Sequence, residues 1–256
     1  MEIWPLGLLL DLALRDICVR SGPCEPLIAS IVLNAPVICR ETMAHVLRMS
    51  QLRICADGGS NVLYDSCVES GMFPAELAPH IIIGDLDSIR PDVRSFFADK
   101  GVEIEQVIDD DTTDLEKAVL YLTTQPAVPP FLLILGSIGA HEGRVDQFFS
   151  VINVMYKYRH TGSFRPIQLG SESLMLVLDK GEHTVQLPAY VVGHHCGLIP
   201  IFGTVAKVTS TGLEWNLSEE LGPMSFGGLV STNNIIRDSS VYIQTSDPIL
   251  FTITLI

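Results

Sequence analysis

The chain has 256 residues, of which 47% are hydrophobic and 18% are charged, so it can bury a sizeable core and is not a disordered chain. With 30 acidic and 16 basic residues its formal net charge is −14, and no concentration of basic residues favours a nucleic acid. Because no apolar stretch reaches the roughly 18 residues of a membrane span, we expect neither a nucleic acid nor a membrane as a partner.

The N-terminal segment is strongly apolar. A signal peptide needs a basic start, but Glu2 stands there and Asp11 interrupts the apolar run. We predict that this segment forms a short helix that packs on the body of the protein, or an extension, and we assign residues 1–26 to it.

The cysteines are spread along the chain without a CxxC pair. Cys18, Cys39 and Cys55 stand in apolar runs, which is typical of buried free thiols in a reducing compartment. We therefore predict a cytoplasmic location. The segment His194–Cys196 is interpreted as a loop or strand, because a structural zinc site needs four well-spaced ligands.

Residues 27–162 alternate between apolar runs and helical patterns. The predicted strands are Leu27–Leu33, Leu52–Ala56, His80–Ile83, Val102–Val107 and Phe131–Leu135. Helices are predicted over Glu41–Met49, from Gly59, over Leu115–Leu122 and over Val145–Tyr156, where apolar residues recur at helical spacing. Continuous apolar strands between amphipathic helices indicate a parallel sheet with both faces covered. We therefore predict an α/β fold with a Rossmann-like parallel-sheet domain over 27–162.

The pattern changes after about residue 165, where short β-rich runs are separated by Gly and Pro. The runs Leu174–Leu178 and Thr184–Leu187, joined by the turn Asp179–Glu182, predict a β-hairpin. We predict that residues 163–256 form an antiparallel β-sandwich domain.

Ligands bind beyond the carboxyl ends of the strands in an open parallel sheet. Three polar clusters follow predicted strands, at Ala56–Asn61, Gly84–Ser88 and Gly136–Asp146. A fourth cluster, Asp109–Asp114, precedes a helix. Folding alone does not explain four polar clusters on one rim, so we place the functional site there.

Asp85 and Asp87 are the most informative pair. Two carboxylates at i and i+2 after an apolar strand offer hard oxygen ligands that suit Mg²⁺. The alternative is an Asx turn that closes the strand. Gly84 before the pair and the acidic run 109–114 favour a metal site.

Asp114 and Lys117 share one helix face, at i and i+3, and the alternative to a functional role is a local ion pair. Thr113 and Glu116 predict a capping box at the start of this helix.

Arg144 opens the helix whose apolar stripe starts at Val145, so it falls off the core face near a helix N-terminus. Backbone N–H groups and a guanidinium together make a good phosphate site, and the alternative is a surface arginine. Asp146 and Gln147 also point away from the stripe. The common motifs GxxxxGK[ST], GxGxxG, GxSxG and HExxH do not occur in the sequence.

Six segments in this order resemble the motifs of the thiamine pyrophosphokinase family. They are Ala56–Asn61 (ADGGxN), Gly84–Ser88 (GDxDS), Thr113–Lys117 (TDxxK), Gly143–Gln147 (GRxDQ), Thr211–Leu217 (TGLxWNL) and the Ser/Asn-rich Ser231–Asn234. Each motif alone is weak, but six in order are highly specific. The similarity runs from about residue 28 to the end, and the turn Gly136–Gly143 is longer than is common in the family.

The resemblance implies Mg²⁺-dependent transfer of the pyrophosphoryl group of ATP to the hydroxyl of thiamine, giving thiamine diphosphate and AMP. It also implies a homodimer with active sites between subunits. The implied catalytic residues are Asp85, Asp87, Asp114 and Arg144, with the three aspartates as Mg²⁺ ligands. The implied ATP-binding residues are Asp57, Gly58, Thr113, Lys117, Gly136, Arg144, Asp146 and Gln147. Trp215, Ser231 and Asn233 would lie near thiamine, although a tryptophan alone is equally typical of a core.

Two other readings of the sequence remain open. A phosphatase of the haloacid dehalogenase type also has a DxD pair after an apolar strand, with the first aspartate, here Asp85, as nucleophile. A non-enzymatic nucleotide- or thiamine-binding module would bind its ligand but release no AMP.

Overall fold

The computed structural model describes residues 1–6, 27–36, 39–136, 144–160 and 162–255. The chain divides into two compact units. We call Ser21–Ser171 the α/β unit, and Met1–Arg20 with Glu172–Ile256 the β unit.

The described strands are numbered in chain order. They are β1 (Glu2–Trp4), β2 (Ile28–Val32), β3 (Leu52–Ala56), β4 (Ile81–Gly84), β5 (Glu103–Gln106), β6 (Phe131–Leu135), β7 (Arg165–Leu169), β8 (Ser173–Leu178), β9 (Gly181–Gln186), β10 (His195–Ile199), β11 (Val208–Thr211), β12 (Ser231–Ile235), β13 (Ser240–Thr245) and β14 (Ile249–Thr254). The described α-helices are α1 (Arg40–Met49), α2 (Gly59–Glu69), α3 (Pro91–Asp99), α4 (Asp114–Thr123) and α5 (Val145–Lys157).

The strands of the α/β unit lie in the order β7-β6-β2-β3-β4-β5 and pair in parallel. Every residue of β2, β4 and β6 is buried, whereas β5 at the sheet edge is mostly exposed. This burial is what continuous apolar strands require. The predicted parallel sheet of an α/β protein is therefore confirmed.

Helix α2 begins in close contact with the sheet. A Cβ atom on Gly59 would lie 2.1 Å from the carbonyl oxygen of Val32, the last residue of β2. Only glycine allows the helix to start at this point, and the close contact brings the segment after β3 next to the end of β2.

Helix α5 is buried along part of its predicted apolar stripe. Val151, Ile152 and Met155 are buried, but Val145 is 59% exposed and Phe149 is 52% exposed. The interpretation of this stripe as a core face therefore does not hold for Val145 and Phe149. Sequence periodicity identifies an apolar face, but it does not tell how much of that face a neighbouring element covers.

The β unit contains strands in the orders β1-β9-β13-β11 and β12-β10-β14-β8. All the described pairings within these groups are antiparallel except that of β1 with β9. The predicted hairpin of β8 with β9 is wrong, because β8 pairs with β14 and β9 pairs with β13. Five of the six residues of β8 are buried, whereas burial alternates along β9, so the two strands suit different environments.

The first residues form a strand rather than the start of the predicted helix. Glu2–Trp4 pairs in parallel with His183–Val185, and the indole Nε1 of Trp4 donates to Nδ1 of His183 at 3.3 Å. A segment this short takes its structure from the strand beside it rather than from its own periodicity. Residues 7–26, the rest of the predicted extension, lie outside the described residues.

The boundary between the two compact units lies later in the chain than the predicted boundary between 162 and 163. The division falls between Ser171 and Glu172, because β7 pairs in parallel with β6 and thereby extends the sheet of the α/β unit.

The described cysteines, Cys39, Cys55, Cys67 and Cys196, are free thiols, and Cys39 is exposed rather than buried as predicted. Cys18 lies outside the described residues. Among the described helices, none combines the length and apolar character needed to cross a membrane.

Candidate functional site

Three carboxylates meet where β3 and β4 end. Asp57 follows β3, and Asp85 and Asp87 follow β4. One oxygen from each side chain lies within 4.8 Å of the others. Neighbouring parallel strands end at the same edge of a sheet, which is why residues from two separate motifs come together here.

Gly84, the last residue of β4, allows this close approach. A Cβ atom there would lie 2.7 Å from Cβ of Asp57 and 2.9 Å from Oδ1 of Asp114. The same Oδ1 accepts the N–H of Asp85 at 3.2 Å and lies 3.2 Å from Nζ of Lys117. Asp114 therefore links the loop after β4 to the buried Lys117. The group of three carboxylates contains Asp57, where the resemblance implied Asp114.

Asp57 organises the loop that carries the other two carboxylates. Its Oδ2 accepts the N–H of Ser88 at 2.9 Å, and its Oδ1 accepts the N–H of Ile89 at 3.0 Å. Burial raises the pKa of the Asp57 carboxyl, the two N–H groups oppose this shift, and the nearby Asp114 and Asp85 carboxylates add to it. A cation bound among these carboxylates would remove the repulsion between them.

A cavity of about 460 Å³ lies beside the carboxylates, within the α/β unit. Its size is within the range of ordinary ligand pockets. Six of the predicted site residues line it: Asp85, Thr113, Asp114, Lys117, Arg144 and Gln147.

Two helix N-termini open onto this cavity. Thr113 caps α4, and its hydroxyl oxygen accepts the N–H of Glu116 at 3.3 Å, while Arg144 stands at the start of α5. The free N–H groups at such positions attract anions. The predicted capping box is only half formed, because the buried Glu116 side chain pairs with Lys157 on α5 instead of returning to the cap.

Arg144 pairs with Asp146 on the first turn of α5. Its Nε donates to Oδ1 of Asp146 at 3.1 Å, and a second guanidinium N–H donates to Oδ2. The pair raises the pKa of Arg144 and lowers the pKa of Asp146. Both side chains are largely exposed, at 72% and 63%, so the guanidinium can exchange this carboxylate for another anion.

The two predicted glycines lie at strand ends. Gly58 is the N-cap of α2, where a Cβ atom would lie 2.4 Å from Nδ2 of Asn34. Gly136 follows β6, and its carbonyl oxygen accepts the side-chain N–H of Gln168 at 2.7 Å. The turn 137–143, which includes Gly143 of the fourth motif, lies outside the described residues.

The predicted thiamine residues lie together in the β unit. The N–H of Trp215 donates to Oδ1 of Asn234 at 3.1 Å, and Nδ2 of Asn234 donates to the carbonyl of Trp215 at 2.8 Å and to Oγ of Ser231 at 3.3 Å. Trp215 is 59% exposed, so it is not the core tryptophan of the alternative reading. Asn233 is exposed on the same strand, with a left-handed φ of 59°.

Sequence reasoning missed several residues of the site. Asn34 and Ser150 line the cavity and were not named. Thr112 and Asn234 lie in the segments Asp109–Asp114 and Ser231–Asn234 that the sequence singled out, but they were not among the predicted site residues, although Thr112 lines the cavity and Asn234 joins the thiamine candidates. Asn34 could have been found, because it follows the carboxyl end of β2 as Asp57 follows that of β3. Ser150 is half-buried within α5 and has no comparable signal.

Two family sequence models match the chain. The model described as "Thiamin pyrophosphokinase, catalytic domain" matches residues 43–164, and "Thiamin pyrophosphokinase, vitamin B1 binding domain" matches residues 182–250. The two matches follow each other along the chain, and the first contains all the predicted residues that line the cavity.

Named relatives are similar over most of their length. Thiamine pyrophosphokinase 3 of Oryza sativa subsp. japonica is 39% identical over 217 residues, covering 80% of this chain and 79% of the relative. Thiamine pyrophosphokinase 1 of Arabidopsis thaliana is 38% identical over 218 residues, covering 80% and 79%. The crystal structure of yeast thiamin pyrophosphokinase is similar in fold, with a TM-score of 0.81 and 22% identity over 99% of this chain and 90% of that chain.

Proposed function

The chain belongs to the thiamine pyrophosphokinase family, and we propose that it transfers the pyrophosphoryl group of ATP to the hydroxyl of thiamine, giving thiamine diphosphate and AMP. The observation that carries this proposal is the cavity at the carboxyl edge of the parallel sheet, where Asp85 and Asp114 lie with Lys117 and Arg144. Transfer of this kind depends on positioning and charge neutralisation more than on covalent chemistry. The phosphatase alternative receives no support from the family matches.

Mg²⁺ fits the carboxylate group as the metal of this site. Asp57, Asp85 and Asp87 offer oxygens within 4.8 Å of one another, and oxygen ligands are those that Mg²⁺ prefers. We propose Asp85, Asp87 and Asp114 as ligands, as the family resemblance implies. Asp114 would bind through its Oδ2, because its Oδ1 accepts the N–H of Asp85, and Asp57 lies beside them. When bound, the cation supplies charge neutralisation at the phosphate oxygens of ATP.

The positive groups of the cavity are suited to the phosphates of ATP. Lys117 is buried and held by Asp114, so it presents a fixed charge. Arg144 presents a planar guanidinium at a helix N-terminus, which suits bidentate contact with a phosphate. The remaining proposed ATP-binding residues are Asp57, Gly58, Thr113, Gly136, Asp146 and Gln147.

Trp215, Ser231 and Asn233 are the proposed thiamine residues. The thiazolium ring of thiamine is cationic, and an exposed indole attracts a cation by about 0.5–2 kcal/mol. The exposure of Trp215 supports this role, because a packed indole could not offer its face. The β unit that carries these residues is proposed to be a sandwich.

The enzyme is further proposed to be a homodimer with active sites shared between subunits, an expectation that rests on the family resemblance. A cytoplasmic location is likewise a proposal, from the pattern of cysteines. The homodimer is tested by refolding Asp85→Asn chains together with Trp215→Ala chains. Half of the randomly formed dimers are mixed, so about a quarter of wild-type activity returns if the sites are independent.

The refolding experiment has two contrary outcomes. An absence of rescue, with mixed dimers confirmed by native mass spectrometry, would place Asp85 and Trp215 in the same subunit's site. Nearly full activity of Trp215→Ala alone would remove that residue from the thiamine site.

One assay tests the function itself. The protein is incubated with ATP, Mg²⁺ and thiamine, and the products are separated. AMP and thiamine diphosphate are expected in equal amounts. Inorganic phosphate with a trapped aspartyl-phosphate would indicate the phosphatase, and ligand binding without AMP would indicate a binding module.

A further inference from the structure

Besides Asp57, the side chain of Asn61 on α2 holds the loop after β4. Nδ2 of Asn61 donates to the carbonyl oxygen of Ser88 at 2.8 Å, and its Oδ1 accepts the N–H of Arg90 at 3.0 Å. A side-chain amide has a donor and an acceptor side by side, so Asn61 pairs with the loop backbone as a neighbouring strand would. It therefore spans the peptide groups on both sides of Ile89.

Asn61 and Asp57 hold consecutive backbone groups of this loop. Asp57 accepts the N–H groups of Ser88 and Ile89. Asn61 accepts the N–H of Arg90 and donates to the carbonyl oxygen of Ser88. The two side chains come from the start of α2 and the turn before it. The backbone that follows Asp87 is therefore fixed by the same segment that supplies the third carboxylate.

The loop needs such support because its backbone is strained. Leu86, between the two carboxylates, has a left-handed φ of 63°, a conformation that side-chain-bearing residues rarely adopt. Strained residues persist where the surrounding structure holds them in place. The backbone of Asp85 is held by Oδ1 of Asp114 at 3.2 Å and by Nε2 of Gln106 at 2.7 Å, and the N–H of Asp87 donates to Oδ1 of Asp85 at 3.1 Å. Asp57 and Asn61 hold the backbone on the other side of the strained residue.

We infer that Asn61 is a positioning residue for the metal site, which keeps the Asp85–Asp87 loop in the geometry that binds a divalent cation. This inference rests on the proposed function, because it assumes that Asp85 and Asp87 bind the metal. Asn61 acts through the loop backbone and touches neither substrate nor metal.

The chain offers a matched control on the same helix and the same loop. Arg90 donates to both carboxylate oxygens of Asp65 at 2.6 and 2.7 Å. Both side chains are about half-exposed, at 43% and 45%, so water screens the pair although its geometry is bidentate. Asp65→Asn thus weakens a contact between α2 and the loop without touching the backbone groups that Asn61 holds.

The test compares Asn61→Ala with Asp65→Asn and the wild type. Mn²⁺ binding to the free protein is measured by electron paramagnetic resonance, and hydrogen exchange is followed in peptides that cover residues 85–92. Asn61→Ala is expected to raise the Mn²⁺ dissociation constant about tenfold, as is usual when the support of a metal ligand is lost. Exchange at 88–90 is expected to become faster, while the thiamine affinity stays unchanged. Asp65→Asn is expected to resemble the wild type in both measurements.

Each other result is decisive. If the wild type binds no Mn²⁺, the proposed metal site fails and the inference fails with it. If the wild type binds Mn²⁺ and Asn61→Ala binds it equally well, the inference alone is overturned. An equal loss of Mn²⁺ affinity in Asp65→Asn would also overturn it. Weakening any contact between α2 and the loop would then have the same effect on the metal site. If Asn61→Ala does not fold, Asn61→Gln, which displaces the amide by one methylene, must show the same direction of change.

Discussion

The loop after β4 and the first turn of α5 both bring charge to the cavity, but they are held in different ways. In the loop, the side chains of Asp57 and Asn61 bind consecutive backbone groups beside Asp85 and Asp87. On α5, Arg144 is largely exposed and paired with a neighbour on its own helix. The carboxylate loop is thus held by contacts with distant segments of the chain, whereas Arg144 in its proposed role would exchange Asp146 for a phosphate.

The largest expected effect comes from removing a carboxylate charge from the loop after β4. Asp85→Asn and Asp87→Asn keep the shape of the side chain, so each variant should fold. Turnover should fall by about a hundredfold or more, because charge stabilisation is the main catalytic device of such a site. Initial rates of AMP formation measure the loss. A variant within threefold of the wild type would remove that residue from the metal site.

Gly84→Ala changes the packing where the same loop begins, without changing its charge. The added Cβ would lie 2.7 Å from Cβ of Asp57, so either β4 or the turn that carries Asp57 must shift. Overpacking of this kind costs about 1–3 kcal/mol of unfolding free energy, and a displacement near 1 Å can cost about a hundredfold in rate. Urea unfolding and AMP formation measure the two effects. Gly71→Ala is a poor control because its φ is 68°, whereas Gly228→Ala has no positive φ and tests glycine loss elsewhere.

Arg144→Lys tests the first turn of α5 separately from the loop after β4. Lysine keeps the charge but loses the planar fork of the guanidinium. We expect the variant to lose most of its activity through weaker ATP binding, while thiamine binding is unchanged. Calorimetric titration with each ligand distinguishes the two. An equal loss of thiamine affinity would show that Arg144 is not a phosphate ligand.

Asp146→Asn gives the smallest expected effect. It releases Arg144 from an exposed ion pair that contributes at most about 1 kcal/mol, so the unfolding free energy should hardly change. Asp146 is also a proposed ATP-binding residue, so its loss should raise the KM for ATP, but only severalfold because the released Arg144 can still bind the phosphates. An unchanged or lower KM would show that Asp146 serves only as the partner of Arg144 and would remove it from the ATP site.

The sequence predicted five of the six described strands of the parallel sheet, including β5, which is mostly exposed. β3 and β6 match their predicted bounds, and β2, β4 and β5 differ by one residue at each end, because a strand of such a sheet is a short run between turn signals. β7 was missed, since Pro166 and Gln168 interrupt its apolar run although both are buried. Helix α3 was missed too, and its signal was available in Pro91 at the first position with Val93 and Phe97 on one face.

The candidate site was predicted as far as single chain segments allow. The rule that ligands bind beyond strand ends placed Asp57 with Asp85, because it needs only strand order and direction. The rule does not say that Asp114 would bind the N–H of Asp85 and Lys117. The contacts of Asp114, like the true partners of β8 and β9, depend on how distant segments of the chain pack together. Sequence periodicity carries no information about such packing.

The pairing of β1 with β9 has a consequence for handling the protein. A version shortened to the region of family similarity would lose Glu2–Trp4 and uncover the backbone groups along His183–Val185. An uncovered strand edge pairs readily with other chains. We expect such a shortened protein to aggregate during expression although its cavity residues are intact. A purification tag is therefore better placed at the C-terminus than joined to the first strand.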